Sequence, residues 1–160
     1  MIRHHYPALL ADDASYAEKS KDLAGRIYEL STFLVEVAGY RPKRRELGTV
    51  TYHDACAGLR ELGIKSQPRI LLTEAGAKIV ECGQAEVCCG FGGTFCVKYP
   101  DISNNMVQRK VEDAKASGAS CLVAGDLGCI LNLEGKMHRE GIDMAVFHFV
   151  ELLAGDQGSE

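Results

Sequence analysis

The 160-residue chain has the size of one domain, and its 46% hydrophobic and 25% charged residues describe a globular protein. The net charge of −4 gives no electrostatic case for nucleic acid, and no apolar run approaches the roughly 20 residues of a membrane span. The first residues lack the apolar core of a signal peptide, so the cytoplasm is the expected location. Seven cysteines in a reducing compartment favour metal or redox chemistry over a disulfide framework.

The first predicted element is a long helix, which Asp12 or Asp13 caps and Gly39 ends. Apolar residues recur in it at spacings of four and three and share one stripe: Leu23, Ile27, Leu30, Leu34 and Val37. Such a stripe is typical of a core face or of a docking face for another domain. The basic segment 41–45 is interpreted as a solvated linker, so residues 1–47 are predicted to be a helical segment and a linker.

Strands alternate with helices through the rest of the chain. Four strands are predicted at 48–54, 77–82, 120–124 and 144–149. Helical patterns follow the first strand and cover 102–117, 130–140 and a short terminal stretch. The alternation predicts an α/β, Rossmann-like three-layer domain over 48–155, with a mainly parallel sheet of about four strands. The polar residues 156–160 are predicted to be a frayed tail.

The central motif of the chain is CCGFGG at 88–93, which suits neither a helix nor a central strand. Consecutive side chains diverge, so Cys88 and Cys89 can converge on a metal only where the backbone turns sharply. The glycines permit that turn through their access to positive φ. Thiolates are soft ligands, suited to iron–sulfur clusters and to zinc. A vicinal disulfide or two inert thiols would be the alternative.

Four cysteines follow the carboxyl ends of predicted strands: Cys56, Cys88, Cys89 and Cys129. In a doubly wound sheet these ends share one edge, where ligands gather, so we expect the four thiols to meet there. The other three cysteines are expected outside the site: Cys82, Cys96 and Cys121. Cys82 and Cys121 have the strand positions of small buried hydrophobic residues.

Two polar residues lie beside the cysteines. His53 is a candidate ligand, a residue that orients a ligand, or a strand-end histidine satisfied by the backbone. Asp126 is a candidate hard ligand, although a hydrogen bond to the turn before Cys129 is favoured because carboxylates seldom bind clusters.

Together these residues resemble the cysteine-rich CCG domain. The resemblance rests on YHDxC ending at Cys56, CCGFGGTF beginning at Cys88, and DLGC ending at Cys129. That domain occurs in the cysteine-rich subunit of heterodisulfide reductase, in the iron–sulfur subunit of glycolate oxidase and in the lactate-utilisation iron–sulfur proteins. The stretch 88–100 is most similar to the lactate-utilisation branch.

The resemblance implies that Cys56, Cys88, Cys89 and Cys129 hold an iron–sulfur cluster in the intact protein. The implied role is electron transfer in a complex that oxidises a 2-hydroxyacid of the L-lactate or glycolate type. Asp126 stands where the family has a fifth cysteine, so an ordinary 4Fe-4S cluster is expected in place of a non-cubane one. In the isolated chain, zinc or no metal is the alternative. The implied partners are other subunits of the complex and a first CCG repeat of which this chain would be the C-terminal continuation.

The residues alone leave two other functions open. One is a structural zinc module that docks a partner subunit through the N-terminal helix. The other is a thiol enzyme with Cys88 or Cys89 as the nucleophile and His53 as the base.

Overall fold

A four-stranded sheet forms the centre of the molecule. The computed structural model describes residues 1–155, so the predicted tail at 156–160 lies outside the described residues. The strands are β1 Thr49–His53, β2 Lys78–Ile79, β3 Cys121–Ala124 and β4 Ala145–His148. They lie in the order β2-β1-β3-β4, and every pairing is parallel. The predicted α/β class and parallel sheet are therefore confirmed.

Helices connect the strands and cover both faces of the sheet. The described residues contain nine α-helices: α1 His5–Leu9, α2 Ala17–Gly25, α3 Leu30–Thr32, α4 Cys56–Leu62, α5 Ser66–Ala75, α6 Thr94–Lys98, α7 Pro100–Ala116, α8 Leu127–Arg139 and α9 Phe149–Ala154. A π-helical turn, Phe33–Val37, continues α3. Across 1–155, no helix combines the length and the apolar character that crossing a bilayer requires.

Side chains alternate along each strand, which divides the core into two layers. On one face, Val50 and Tyr52 of β1 pack with residues of α5 and α9. On the other face, Leu122 and Ala124 of β3 pack with residues of α7 and α8. The result is the predicted three-layer arrangement, and His53 lies on the same face of β1 as the α7–α8 layer.

The strand order places a crevice at the carboxyl ends of β1 and β3. From β1 the chain crosses to β2 on one side, and it later returns through α7 to β3 on the other side. In open α/β sheets, ligands bind where the direction of the connections reverses in this way. The fold therefore places His53, the last residue of β1, at this switch point, next to the loops that follow β1 and β3.

The predicted long N-terminal helix is wrong. The segment forms three short helices, and the chain leaves helical geometry between α2 and α3. Glu29 is extended, and its carboxylate accepts hydrogen bonds from the Ser31 hydroxyl at 2.5 Å and from the Thr32 N–H at 3.1 Å. This side-chain cap starts a new helix and so breaks the predicted stripe. Leu34 packs on the core, whereas Leu30 is 44% exposed.

Three element boundaries also differ from the prediction. The helix α8 begins at Leu127, so Cys129 lies inside its first turn and not in the loop before it. The strand β2 has only two residues, which leaves Cys82 in the following loop. The helical stretch after β1 divides into α4 and α5 at Gly63, whose φ of +67° is a left-handed conformation that ends a helix.

Candidate metal centre

The cysteines of the three strand-end loops approach one another at the carboxyl edge of the sheet. His53 ends β1, and Cys56 begins α4 after a short turn. Cys88 and Cys89 lie in the loop between β2 and α6. Cys129 lies in the first turn of α8, directly after β3.

Three buried groups form the centre of this site. The sulfur atoms of Cys89 and Cys129 are 3.2 Å apart. One ligand atom from each of His53, Cys89 and Cys129 lies within 4.8 Å of the other two. His53 is fully buried, and neither of its ring nitrogens has a hydrogen-bond partner in residues 1–155. Soft sulfur donors and a borderline imidazole donor suit zinc or an iron–sulfur centre.

Cys88 and Cys56 extend the group toward the surface, where both are half-buried. Burial raises the pKa of the Cys88 thiol, and the sulfur atoms of Cys89 and Cys56 raise it further. The Gly90 N–H opposes this increase by donating a 3.4 Å hydrogen bond to the Cys88 sulfur. Cys88 thus lies near both Cys56 and Cys89. Among the described residues, however, the close group around His53 contains only Cys89 and Cys129 of the four predicted cysteines.

In the Cys89–Cys129 pair, the shared proton stays on the Cys129 sulfur. The hydrogen bond from the Cys129 thiol lowers the pKa of Cys89 to about 4, against the effect of burial, and the nearby His53 ring contributes to the decrease. The pKa of Cys129 is raised far above its usual range because its thiol donates to Cys89 and because it is buried. The pair therefore holds one thiolate in the metal-free protein, which is the form that binds metals.

The glycine turn is held between α7 and α8. The Ser103 hydroxyl donates a 2.8 Å hydrogen bond to the Gly90 carbonyl, and the Asn132 amide donates a 2.9 Å hydrogen bond to the Cys89 carbonyl. Gly90 has a φ of +85°, and a Cβ atom there would lie 2.8 Å from the Ser103 carbonyl oxygen. Only glycine fits this close approach, so the turn that aims Cys89 inward depends on it.

Two side chains of α7 hold the loop that leads to the cysteines. The buried Lys110 ammonium donates hydrogen bonds to the carbonyls of Gln84 and Ala85. The Asp113 carboxylate accepts hydrogen bonds from the N–H groups of Gly83 and Gln84, at 3.1 and 2.7 Å. These contacts satisfy backbone groups that the loop could not pair within itself.

A group of charged side chains connects the residue that follows β1 with the loop that follows β2. The Arg69 guanidinium makes two hydrogen bonds to Asp54, at 2.8 and 2.9 Å, and two to Glu81, at 2.5 and 2.9 Å. The central carbon (Cζ) of the Arg69 guanidinium lies 4.9 Å from the centre of the Tyr52 ring. The Asp54 side chain is only 1% exposed, so this bidentate pair neutralises a buried carboxylate next to His53.

Asp126 acts as a helix cap in the structure. Its carboxylate accepts a 2.9 Å hydrogen bond from the Cys129 N–H at the start of α8. This is the turn contact that the sequence favoured over a ligand role. The Phe91 ring covers the same turn, because a Cβ on Gly128 would lie 2.5 Å from a ring carbon.

The remaining cysteines lie elsewhere. Cys121 is buried on the opposite face of the sheet, in the α5–α9 layer, where desolvation raises its pKa. Cys82 is buried beside Asp113, and Cys96 donates a hydrogen bond to the Gly93 carbonyl at 3.1 Å. None of the three belongs to the buried group around His53 in the described part of the chain.

Five residues that position the loops of the site were not predicted from the sequence to do so: Arg69, Ser103, Lys110, Asp113 and Asn132. Lys110 follows Val107 by three residues and precedes Ala114 by four, so the inward stripe of α7 already indicated its burial. Arg69 and Asn132 carry no such signal, because their partners are distant in the chain.

A cavity of about 180 Å³ lies next to the site, at the end of β1. Three carboxylates are among the residues that line it: Glu29, Asp54 and Asp126. Arg69 neutralises Asp54, which leaves Glu29 and Asp126 to repel an anionic ligand.

Comparison with known proteins gives this geometry a family context. The cysteine-rich domain CCG matches residues 50–134, which include the four cysteines and His53. The chain is 41% identical to "Lactate utilization protein A" of Macrococcus caseolyticus, over 93% of this chain and 62% of that protein. It is 42% identical to the protein of the same name from Oceanobacillus iheyensis, over 92% and 62%.

A third relative, "Lactate utilization protein A 2" of Bacillus cereus, is 38% identical over 96% of this chain and 64% of that protein. The chain thus spans about three fifths of the length of these curated relatives. The match covers more than half of the chain and contains the whole cysteine edge of the sheet. On this combination of sequence and geometry, the chain belongs to the family of CCG cysteine-rich domains.

Proposed function

We propose that this chain carries the iron–sulfur centre of an electron-transfer protein that works with a partner oxidising a 2-hydroxyacid. The observation that carries the proposal is the buried group at the carboxyl edge of the sheet, in which one ligand atom from each of His53, Cys89 and Cys129 lies within 4.8 Å of the other two. The half-buried Cys88 and Cys56 are proposed to complete the ligand set. The relatives' names support lactate as the substrate class of the whole assembly, with glycolate as the nearest chemical alternative.

Cys56, Cys88, Cys89 and Cys129 would hold the cluster, which is expected to be of the 4Fe-4S type. When bound, such a cluster accepts and releases single electrons. The residues of this chain exclude water from Cys89 and Cys129 and keep one thiolate ready to bind. Asp126 is already engaged with the Cys129 N–H, so it is assigned a structural role.

The substrate is expected to bind on the partner. A 2-hydroxyacid carries a carboxylate, and the cavity beside the site contains the carboxylates of Glu29 and Asp126. Like charges at this range disfavour binding of the acid there. The partners are therefore the other subunits of a hydroxyacid-oxidising complex and, in the intact protein, a preceding CCG repeat.

The test is anaerobic purification of the full-length protein, with iron, acid-labile sulfide and zinc measured on the same sample. About four irons and four sulfides per CCG site, with a spectrum that bleaches on reduction, are expected. Stoichiometric zinc without sulfide, in protein never exposed to oxygen, would exclude the iron–sulfur proposal.

A second test addresses the substrate class. Cells that lack the gene should lose growth on lactate, and the intact gene should restore that growth. A version with Cys129→Ala should fail to do so, and one with Cys121→Ala should succeed. Unchanged growth of the deletion strain on both lactate and glycolate would count against the proposal.

One observation favours a zinc module as the second candidate. Tetrahedral zinc with bonds of about 2.3 Å holds two sulfur atoms about 3.8 Å apart, close to the 3.2 Å between Cys89 and Cys129. A four-iron cluster spreads its thiolates further, because each binds a different iron. The metal assay above separates the two candidates. A nucleophilic role for Cys89 has less support, since this residue is 1% exposed.

A further inference from the structure

We propose that His53 binds the metal directly through a ring nitrogen, so that the centre is a mixed imidazole–thiolate site. Its nearest partners would be Cys89 and Cys129, and in a four-iron cluster His53 would take the place of Cys88 or Cys56 among the four protein ligands. The inference goes beyond the proposed function, because it applies equally to a single metal ion and to a cluster.

The His53 ring is fully buried, yet no hydrogen bond of acceptable geometry reaches Nδ1 or Nε2 from any residue in 1–155. An unsatisfied buried polar atom costs about 1–3 kcal/mol, and most such atoms in folded proteins have a partner. The ring does interact with the Cys89 sulfur, because His53 helps to lower the pKa of that thiol. His53 therefore faces a thiolate that can share a metal with it.

The His53 ring lies beside two thiols. One of its nitrogens and the sulfur atoms of Cys89 and Cys129 fall within 4.8 Å of one another, so one metal centre can contact all three. The backbone holds this arrangement from two sides. Ladder pairing to β3 positions His53, and the Asn132 amide positions the loop at Cys89.

His53 and His148 end the strands that flank β3, and both are paired in register with Ala124. The Nδ1 atom of His148 accepts a hydrogen bond from the Val150 N–H at 3.3 Å, which caps α9. At the equivalent strand end, His53 has no such hydrogen bond among the described residues and lies beside two thiols instead.

A ligand of this kind has a consequence for electron transfer, which rests on the proposed function. Imidazole is neutral where thiolate is negative, so it stabilises the reduced centre and raises its reduction potential, as in clusters where histidine replaces cysteine. We therefore expect His53→Cys to shift the potential of an iron–sulfur centre to more negative values. His148→Gln should leave the potential unchanged.

The direct test uses the 160-residue chain labelled with ¹⁵N-histidine and loaded, in separate anaerobic samples, with Co²⁺ and with iron and sulfide, the iron–sulfur sample being reduced to its paramagnetic state. Electron–nuclear double resonance then reports whether a histidine nitrogen is bonded to the metal. Strong ¹⁵N coupling is expected in the wild type and in His148→Gln, and it should vanish in His53→Ala. Metal affinity alone would not decide the matter, because removing a residue that only orients a ligand also weakens binding about 10–100-fold.

A second variant covers the case in which His53→Ala does not fold. The chain has five histidines, and replacing the other four by glutamine leaves His53 alone without altering the site: His4, His5, His138 and His148. Persistent coupling in this variant assigns the nitrogen to His53, and its loss overturns the inference. Coupling on cobalt in a protein that takes up no iron would support the His53 ligand and refute the proposed function. Iron uptake without nitrogen coupling would support the proposed function and refute the His53 ligand.

Discussion

Cys89 and Cys121 are both buried cysteines, but the fold shifts the pKa values of their thiols in opposite directions. Cys89 is 1% exposed and Cys121 is 7% exposed. The pKa of Cys89 is lowered to about 4, chiefly by the hydrogen bond from Cys129, whereas burial raises the pKa of Cys121. Burial by itself therefore makes a thiol inert. A thiol becomes a metal ligand only where the fold also supplies donors that stabilise its thiolate.

The two cysteines also lie on opposite faces of the sheet. Cys121 begins β3 and packs among the apolar residues of the α5–α9 layer. Cys89 packs under α7 and α8, at the edge where β1 and β3 end. The polar groups of the site thus lie at the carboxyl edge of the sheet. Because they are buried there, each of them needs a hydrogen-bond partner or a metal. Four predictions probe this difference.

The largest expected effect is loss of the metal. Cys89→Ser and Cys129→Ser should abolish bound metal in anaerobically prepared full-length protein, because each removes a buried sulfur of the central group. Cys121→Ala should keep the wild-type metal content, since this residue faces the other layer. The measurement is metal and sulfide content per chain. If Cys121→Ala loses metal while Cys129→Ser retains it, the ligand assignment is wrong.

The next effect concerns the charges that support the edge. Arg69→Met would leave the Asp54 carboxylate buried without its bidentate partner, at an expected cost of about 3–5 kcal/mol in the free energy of unfolding. Arg41 pairs with Glu74 on the surface, so Arg41→Met should cost at most about 1 kcal/mol. Urea denaturation of both variants measures the difference. Equal costs would mean that the Arg69 pair is no more than a surface contact.

The glycine turn gives a smaller and more local effect. Gly90 and Gly63 both have positive φ, so alanine at either position costs about 1–2 kcal/mol in backbone strain. At Gly90 the new methyl would also approach the Ser103 carbonyl, while the space at Gly63 is open. We therefore expect Gly90→Ala to be the less stable variant by urea denaturation, and to bind less metal. Equal stability and metal content in the two variants would argue that the position of Cys89 does not depend on this close approach.

The last effect is a pH dependence confined to reduced, metal-free protein, because bound thiolates no longer titrate freely. The folded pKa of Cys89, about 4, lies below the usual thiol value of about 8.5. Its thiolate therefore contributes stability above about pH 8.5, and this contribution is lost as the pH falls toward 4. The unfolding midpoint should decline on acidification, and it should decline less in Cys89→Ser.

Cys121 provides the control of opposite sign. Its pKa is raised, so its contribution is complete below about pH 8.5 and is lost only above that value. Cys121→Ala should then follow the wild-type slope below pH 8. A matching slope for Cys89→Ser over the same range would mean that the folded protein does not hold Cys89 as a thiolate.

The sequence predicted the class of fold and the edge on which the cysteines lie. These inferences rest on local patterns: strands and helices alternate, cysteines follow strand ends, and glycines permit the turn at 88–93. The parallel sheet and the order of elements after residue 48 agree with them. The N-terminal helix failed because its apolar periodicity took no account of the Glu29 cap, whose side chain starts a separate helix.

Only the tertiary structure decided which groups face one another. The His53 ring shares a face with Cys89 and Cys129 because β1 and β3 pair in register and α8 begins directly after β3. Arg69 reaches Asp54 across 15 residues, and Asn132 reaches the Cys89 carbonyl across 43. Periodicity and turn residues act over a few positions of the chain. The unpaired nitrogens of His53 and the ion pair of Asp54 depend instead on long-range packing, which no local pattern encodes.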